Sequence, residues 1–117
     1  MKYLITGGAG FIGSNLADEL SKKNKVTIID NLSTGFKKNL PKNKNIKFVR
    51  CDLLNKNKLN KVFKGHKIIF HLAANADIRF GLDHPEKDLE QNAIATFNVL
   101  EAMRVNKIKK IVFTSTA

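Results

Sequence analysis

Thr6-Gly7-Gly8-Ala9-Gly10-Phe11-Ile12-Gly13 decides how the rest of the chain is read. The apolar run Tyr3-Leu4-Ile5 in front of it suits a buried strand. Behind it, Ile12, Leu16, Ala17 and Leu20 recur at helical spacing. A strand therefore ends, the chain turns on glycines, and a helix begins. Gly7 permits a backbone conformation closed to residues with a Cβ. Gly10 lets the main chain come close to a diphosphate, and Gly13 lets the helix pack tightly on the strand. Phosphates then face a helix N-terminus, where unpaired N–H groups and the macrodipole favour negative charge. The pattern Gly-x-x-Gly-x-x-Gly is one residue wider than the commonest dinucleotide form. Alone, such a triplet also fits a flexible loop; the flanking strand, the helix and an acidic residue downstream argue for a dinucleotide site.

The 117 residues are enough for one domain. An apolar content of 43% with interspersed charge indicates a globular chain. No apolar run approaches the length of a membrane span, and the N-terminus enters a strand without a signal-peptide pattern. The single cysteine, Cys51, cannot staple the fold and reads as an inert thiol at a strand end. These features lead us to expect a cytoplasmic protein with no membrane partner. The net charge of +11 raises nucleic-acid binding. Eighteen of the 21 basic residues are lysine, and they are expected to be scattered over loops and helix faces, not gathered in one stripe. Phosphate and base-edge readers lean on arginine forks. A solvated lysine surface, and no nucleic-acid partner, is the expectation.

Strands are expected over about 2–6, 25–30, 46–51, 67–72 and 110–115, and helices over about 11–23, 56–64 and 86–106. Ile46-Lys47-Phe48-Val49 alternates apolar and polar, so the third strand lies at an edge or is half exposed. Lys67-Ile68-Ile69-Phe70-His71-Leu72 is nearly continuous in apolar residues, which suits a central strand. The last helix is apolar over a wide arc: Leu89, Ala93, Ile94, Phe97, Val99, Leu100 and Met103. One side is expected to cover the sheet and the other a partner subunit, so self-association through 86–106 is expected. Strands alternating with helices predict an α/β fold, a Rossmann-like, doubly wound parallel sheet of five strands with helices on both faces. The ligand crevice of such a sheet lies beyond the carboxyl ends of its strands. Gly7, Asp30, Asp52, Leu72-Ala73-Ala74 and Thr114-Ser115-Thr116 all follow strand ends.

Asp30 sits 23 residues after Gly7, where a carboxylate can accept hydrogen bonds from both adenosine ribose hydroxyls. It would repel a 2′-phosphate, which favours NAD over NADP, although Lys37 and Lys38 follow closely. Asp52 suits either the adenine amino group, with Leu53 against the ring, or the N-cap of the second helix. Leu72, Ala73 and Ala74 are small or apolar where a cofactor would pass, and simple packing explains them equally. His71 reads as a satisfied core histidine; His66 and His84 read as loop residues. Three histidines and one cysteine are too dispersed for a metal site. Asn92, within the last helix, either fixes a neighbouring backbone or faces solvent. Thr114-Ser115-Thr116 offers hydroxyls at the nicotinamide end of the crevice, or is a Ser/Thr-rich strand end.

These stretches together resemble the N-terminal half of the extended short-chain dehydrogenase/reductase family, in its nucleotide-sugar branch. The residues that carry the resemblance are 6–14, Asp30-Asn31-Leu32-Ser33-Thr34-Gly35, Asp52-Leu53, His71-Leu72-Ala73-Ala74, Asn92 and 113–117. It covers the whole chain, and the turn after Asp30 leans toward the UDP-glucose 4-epimerase type. The resemblance implies an NAD site built from Gly7, Gly10, Phe11, Ile12, Gly13, Asp30, Asn31, Leu32, Ser33, Thr34, Gly35, Asp52, Leu53, Leu72, Ala73, Ala74 and Asn92. It also implies that NAD takes a hydride from the sugar C4 and returns it to the other face of a 4-keto intermediate. Thr116 matches the catalytic Ser/Thr that bonds the sugar oxygen. The family's base is a Tyr followed four residues later by a Lys. The only tyrosine here is Tyr3, in the first strand, and the sugar-binding region has no counterpart in these 117 residues. The chain therefore reads as a truncated protein or fragment that binds NAD and, alone, does not epimerise; a UDP-sugar partner requires the missing region. A dehydratase or decarboxylase fragment, a stand-alone NAD-binding module and a lysine-rich nucleic-acid binder are the competing readings.

Overall fold

The computed structural model describes residues 1–8, 11–31, 43–72, 85–86 and 90–113. Five strands form one parallel sheet: β1 (Lys2–Thr6), β2 (Lys25–Asp30), β3 (Ile46–Arg50), β4 (Ile68–His71) and β5 (Lys110–Phe113). Their spatial order is β3-β2-β1-β4-β5. The half-polar β3 is at an edge and the apolar β4 lies inside, as their compositions predict. Helix α1 (Phe11–Ser21) crosses from β1 to β2, and α2 (Lys56–Val62) from β3 to β4. A π-helical turn (Glu90–Ile94) runs directly into α3 (Ala95–Val105), which precedes β5.

Neighbouring strand residues point to opposite faces. Ile5, Val26 and Ile28 therefore pack with Ala17 of α1 on one side. Leu4, Ile29 and Ile69 pack with Leu59 and Phe63 near α2 and with Val99 and Met103 of α3 on the other. The expected doubly wound architecture, with helices on both faces, is the one observed.

Element ends differ from expectation where side chains intercept backbone groups. Helix α1 stops at Ser21 instead of running to 23: Asn24 Nδ2 donates to the Leu20 carbonyl at 3.0 Å, and Ser21 Oγ donates to Asp18 O at 3.0 Å. Helix α2 stops at Val62, and Gly65 beyond it has φ +84°. The last helix, expected over about 86–106, contains a π-helical turn at Glu90–Ile94. Burial of α3 is confined to one stripe, Ala95, Asn98, Val99, Ala102 and Met103. Phe97 and Leu100 on its other side are 54% and 49% exposed.

The lysines are not spread evenly in space. Parallel strands all begin at one end of the sheet, so residues distant in sequence converge there. Lys2 and Lys25 are register partners, Lys47 is the second residue of β3, and Lys110 opens β5. The Lys67 N–H donates to Lys2 O at 2.8 Å. This corrects the expectation of a scattered basic surface.

Phe63 is fully buried beneath the sheet in the larger core cluster. Phe63→Ala should lower the free energy of unfolding by about 3–5 kcal/mol, because the surrounding strands cannot collapse into the cavity; chemical denaturation measures this directly.

Candidate functional site at the carboxyl rim of the sheet

The carboxyl ends of the strands bring the sequence-predicted residues to one rim. The Gly7 N–H donates to Ile29 O at 2.9 Å, which sets the glycine turn beside Asp30. The Cys51 N–H donates to Asp30 O at 3.2 Å, which sets Asp52 beyond it. On the other side of β1, the Leu72 N–H donates to Thr6 O at 3.2 Å. Across the sheet the order is thus Asp52, Asp30, Gly7, Leu72.

The turn after β1 is built from absent side chains. Gly7 has φ +73°, a region that favours glycine. A Cβ on Gly13 would overlap the Gly7 carbonyl oxygen and come within 2.7 Å of Gly8 Cα. A Cβ on Gly8 would overlap Ile28 Cγ2. The helix therefore starts hard against the strand end, and its N-terminal N–H groups lie at the rim. Such a cradle, closed to side chains and at the positive end of a helix, fits a diphosphate. Phe11 and Ile12, the first two residues of α1, are 81% and 66% exposed. Asn15 Nδ2 donates to Phe11 O at 2.7 Å and Ser14 Oγ to the same carbonyl at 3.1 Å. Gly10, Leu32, Ser33, Thr34, Gly35, Ala73, Ala74 and Thr116 lie outside the described residues.

Asp30 and Asn31 are half-buried at the end of β2. Asp52 is exposed, and the proposed N-cap role is not its own: Asn55 caps α2, its side chain accepting from the Lys58 N–H at 3.2 Å. Asp52 Oδ1 instead accepts from the Leu54 N–H at 3.0 Å, a local turn that an aspartate closes more readily than it reaches a helix that begins four residues later. The Leu53 side chain sits in the core, 7% exposed, so the part of Leu53 nearest the rim is its backbone. Its carbonyl accepts from Asn98 Nδ2 at 2.9 Å.

Asn98 was missed by the sequence reading. It lies on the stripe Ala95, Asn98, Ala102 that faces the core, and an amide on an apolar helical stripe is the signal that could have found it. Asn92, half-buried, falls within the π-helical turn. Such turns recur at functional sites because they swing a side chain off the helical repeat.

His71 is the satisfied core histidine that its place in an apolar run predicts, and it does more than fill space. It is 1% exposed. Nδ1 shares a 2.7 Å hydrogen bond with Thr6 Oγ1, and Nε2 a 3.0 Å bond with Thr96 Oγ1. Thr6 Oγ1 also accepts from the Leu72 N–H at 3.1 Å. Phe113 stacks on the imidazole at 5.5 Å. One ring thus joins β1, β4, α3 and β5 directly beneath the rim. Burial lowers its pKa to about 4, so it is neutral at physiological pH. His66 is tied to Phe63 O and Thr27 Oγ1, and burial pushes its pKa down as well. Burial pushes the Cys51 thiol up, consistent with an inert role. Among the described residues, no group of three His, Cys, Asp or Glu could hold a metal, and no helix is long and apolar enough to cross a membrane.

Residues 3–117 match the model of the NAD-dependent epimerase/dehydratase family. The chain belongs to that family. Within it, the chain is similar to the UDP-glucose 4-epimerase of Streptomyces lividans, 38% identical over 120 residues that cover 99% of this chain and 36% of that protein. It is also similar to the UDP-N-acetyl-alpha-D-glucosaminuronate decarboxylase of Bacillus cytotoxicus, 40% identical over 118 residues, covering 99% and 36%. Among solved structures, the Thermus thermophilus UDP-glucose 4-epimerase in complex with NAD superimposes with a TM-score of 0.91 at 38% identity, covering 99% of this chain and 38% of that one. This member of the epimerase/dehydratase family thus spans a little over a third of the length of these relatives.

The depressed His71 pKa has a testable sign. In the unfolded chain the imidazole takes up a proton near pH 6.5, but in the fold only near pH 4. Stability is therefore fully present above about pH 6.5 and is lost as the pH falls toward 4, by about 3 kcal/mol from this residue. Urea denaturation at pH 7 and pH 4.5 should show the loss, and His71→Gln should flatten the dependence.

Proposed function

We propose that these residues form the cofactor half of a nucleotide-sugar 4-epimerase of the UDP-glucose/UDP-galactose type. The single observation that carries the reading is the side-chain-free turn of Gly7, Gly8 and Gly13 at the start of α1, with Asp30 closing the neighbouring strand. The rim order supports it further. Asp52 and the backbone of Leu53 would border the adenine, Asp30 and Asn31 the adenosine ribose, and Gly7, Gly10 and Gly13 the diphosphate. Leu32, Ser33, Thr34 and Gly35 continue the wall past the ribose. Phe11 and Ile12 would shield the diphosphate from water, while Leu72, Ala73, Ala74 and Asn92 would border the nicotinamide half. Bound NAD supplies a reversible hydride acceptor for the sugar C4. Thr116 would hold the sugar oxygen.

The only tyrosine among these residues, Tyr3, packs edge-on against Phe70 within the sheet and is not placed to serve as the base. Residues 1–117 alone should therefore bind NAD without turning over a UDP-sugar. The similarity to the decarboxylase favours a second reading, in which the same cofactor half serves decarboxylation of a UDP-uronic acid. The exposed Phe97 and Leu100 of α3 support self-association through that helix.

Titration calorimetry should show one NAD site and weaker binding of NADP. Asp30→Ala should weaken NAD binding by about ten- to a hundredfold, the loss of charged hydrogen bonds to the ribose. Binding of NADP in preference to NAD, or an Asp30→Ala variant that binds NAD as the parent does, would remove the basis of this assignment. In sedimentation, Phe97→Asp should shift the protein toward monomer; an unchanged distribution places any self-association elsewhere.

A further inference from the structure

At the opposite end of the sheet, where the strands begin, a cavity of about 550 Å³ opens between β2, β3 and the end of α2. Six lysines line it: Lys2, Lys25, Lys44, Lys47, Lys61 and Lys64. No aspartate or glutamate does. The ion pairs among the described residues, Lys22–Glu19 and Arg104–Glu101, lie elsewhere. The α2 helix accounts for Lys61 and Lys64, since cations suit a helix C-terminus. Nothing comparable accounts for the other four. Lys2 and Lys25 are direct register partners on adjacent strands, and like charges so placed destabilise a sheet. Asn45 Oδ1 accepts from Lys25 Nζ at 3.2 Å, and Asn45 Nδ2 in turn donates to Ser21 O at 2.9 Å. One ammonium is thereby anchored at the cavity wall.

We propose that this basic cavity binds a compact, multiply phosphorylated small molecule, at a site separate from the carboxyl rim. Its volume is in the range of small-ligand sites. The lining holds no phenylalanine, tyrosine or tryptophan, so it offers no ring on which a base would stack, and ammonium groups recognise phosphate as point charges. Six exposed ammonium groups around one cavity, with no carboxylate among its lining residues, make a positive field that favours anions, and a ligand of several phosphates meets several lysines at once. His66, hydrogen-bonded to Thr27 on the cavity wall, is a built-in reporter.

Inorganic tripolyphosphate is the probe. Calorimetry of the purified protein in 0.15 M salt should show one saturable site, retained when NAD is in excess. Binding should weaken by about tenfold or more between 0.05 and 0.3 M salt. The exposed triple variant Lys25→Gln/Lys47→Gln/Lys61→Gln should lose at least about tenfold in affinity while keeping its thermal transition. His66 and Thr27 resonances should shift on binding. The proposal is overturned if tripolyphosphate does not saturate, if NAD displaces it, or if the triple variant binds as the parent does. It is also overturned if a 20-base-pair DNA duplex, and not tripolyphosphate, binds in a way the triple variant abolishes; that result assigns the lysines to a nucleic-acid surface. The comparison of parent and variant stands whether or not NAD binds at the rim.

Discussion

The contact between Gly13 and the backbone of Gly7 and Gly8 is the constraint on which the rest depends. It has no room for a Cβ, so the first turn of α1 sits against the end of β1 with no side chain between them. Because β1 is the middle strand of five, this places a helix N-terminus at the centre of the carboxyl rim. A larger residue at Gly13 would lift the helix off the strand and move its N-terminal N–H groups away from the rim. The positive φ of Gly7 serves the same close approach from the strand side.

Around that contact the sheet converts one order into another. Along the chain the rim residues run Gly7, Asp30, Asp52, Leu72. Across the sheet, with β2 and β3 on one side of β1 and β4 on the other, they run Asp52, Asp30, Gly7, Leu72. That order, which the proposed site matches to adenine, ribose, diphosphate and nicotinamide, follows from the reversal of strand order at β1. Two buried polar struts stabilise the arrangement. His71 ties Thr6 to Thr96 beneath the glycine turn, and Asn98 holds the Leu53 carbonyl next to Asp52. Asn98 Oδ1 is buried without a hydrogen-bond partner among the described residues, a cost of about 1–3 kcal/mol set against the bond its Nδ2 makes.

The polarity of a parallel sheet separates two chemistries. All strands end at one rim, where small residues and two aspartates collect, and all begin at the other, where lysines collect. An antiparallel sheet would have mixed the two sets. The chain's large positive charge is therefore not a uniform coat. Among the described residues, part of it is concentrated at the end of the sheet remote from the glycine turn.

Much of the fold was legible in the residues. The glycine turn, the alternation of strands and helices, the edge position of β3 and the interior position of β4 follow from steric freedom and apolar periodicity, which act over a few residues. So did the buried role of His71, from its place in an apolar run. What was not legible needed partners from distant parts of the chain. Asp52 resembles a helix cap until Asn55 is seen to occupy that position. Leu53 resembles a ring contact until the core is seen to claim its side chain. Asn98 is one helix amide among several until Leu53 arrives beneath it. The lysines are scattered in sequence and joined only by strand register. Local sterics and periodicity are written in the sequence itself; which groups end up as neighbours is decided by register and packing, and those exist only once the sheet has formed.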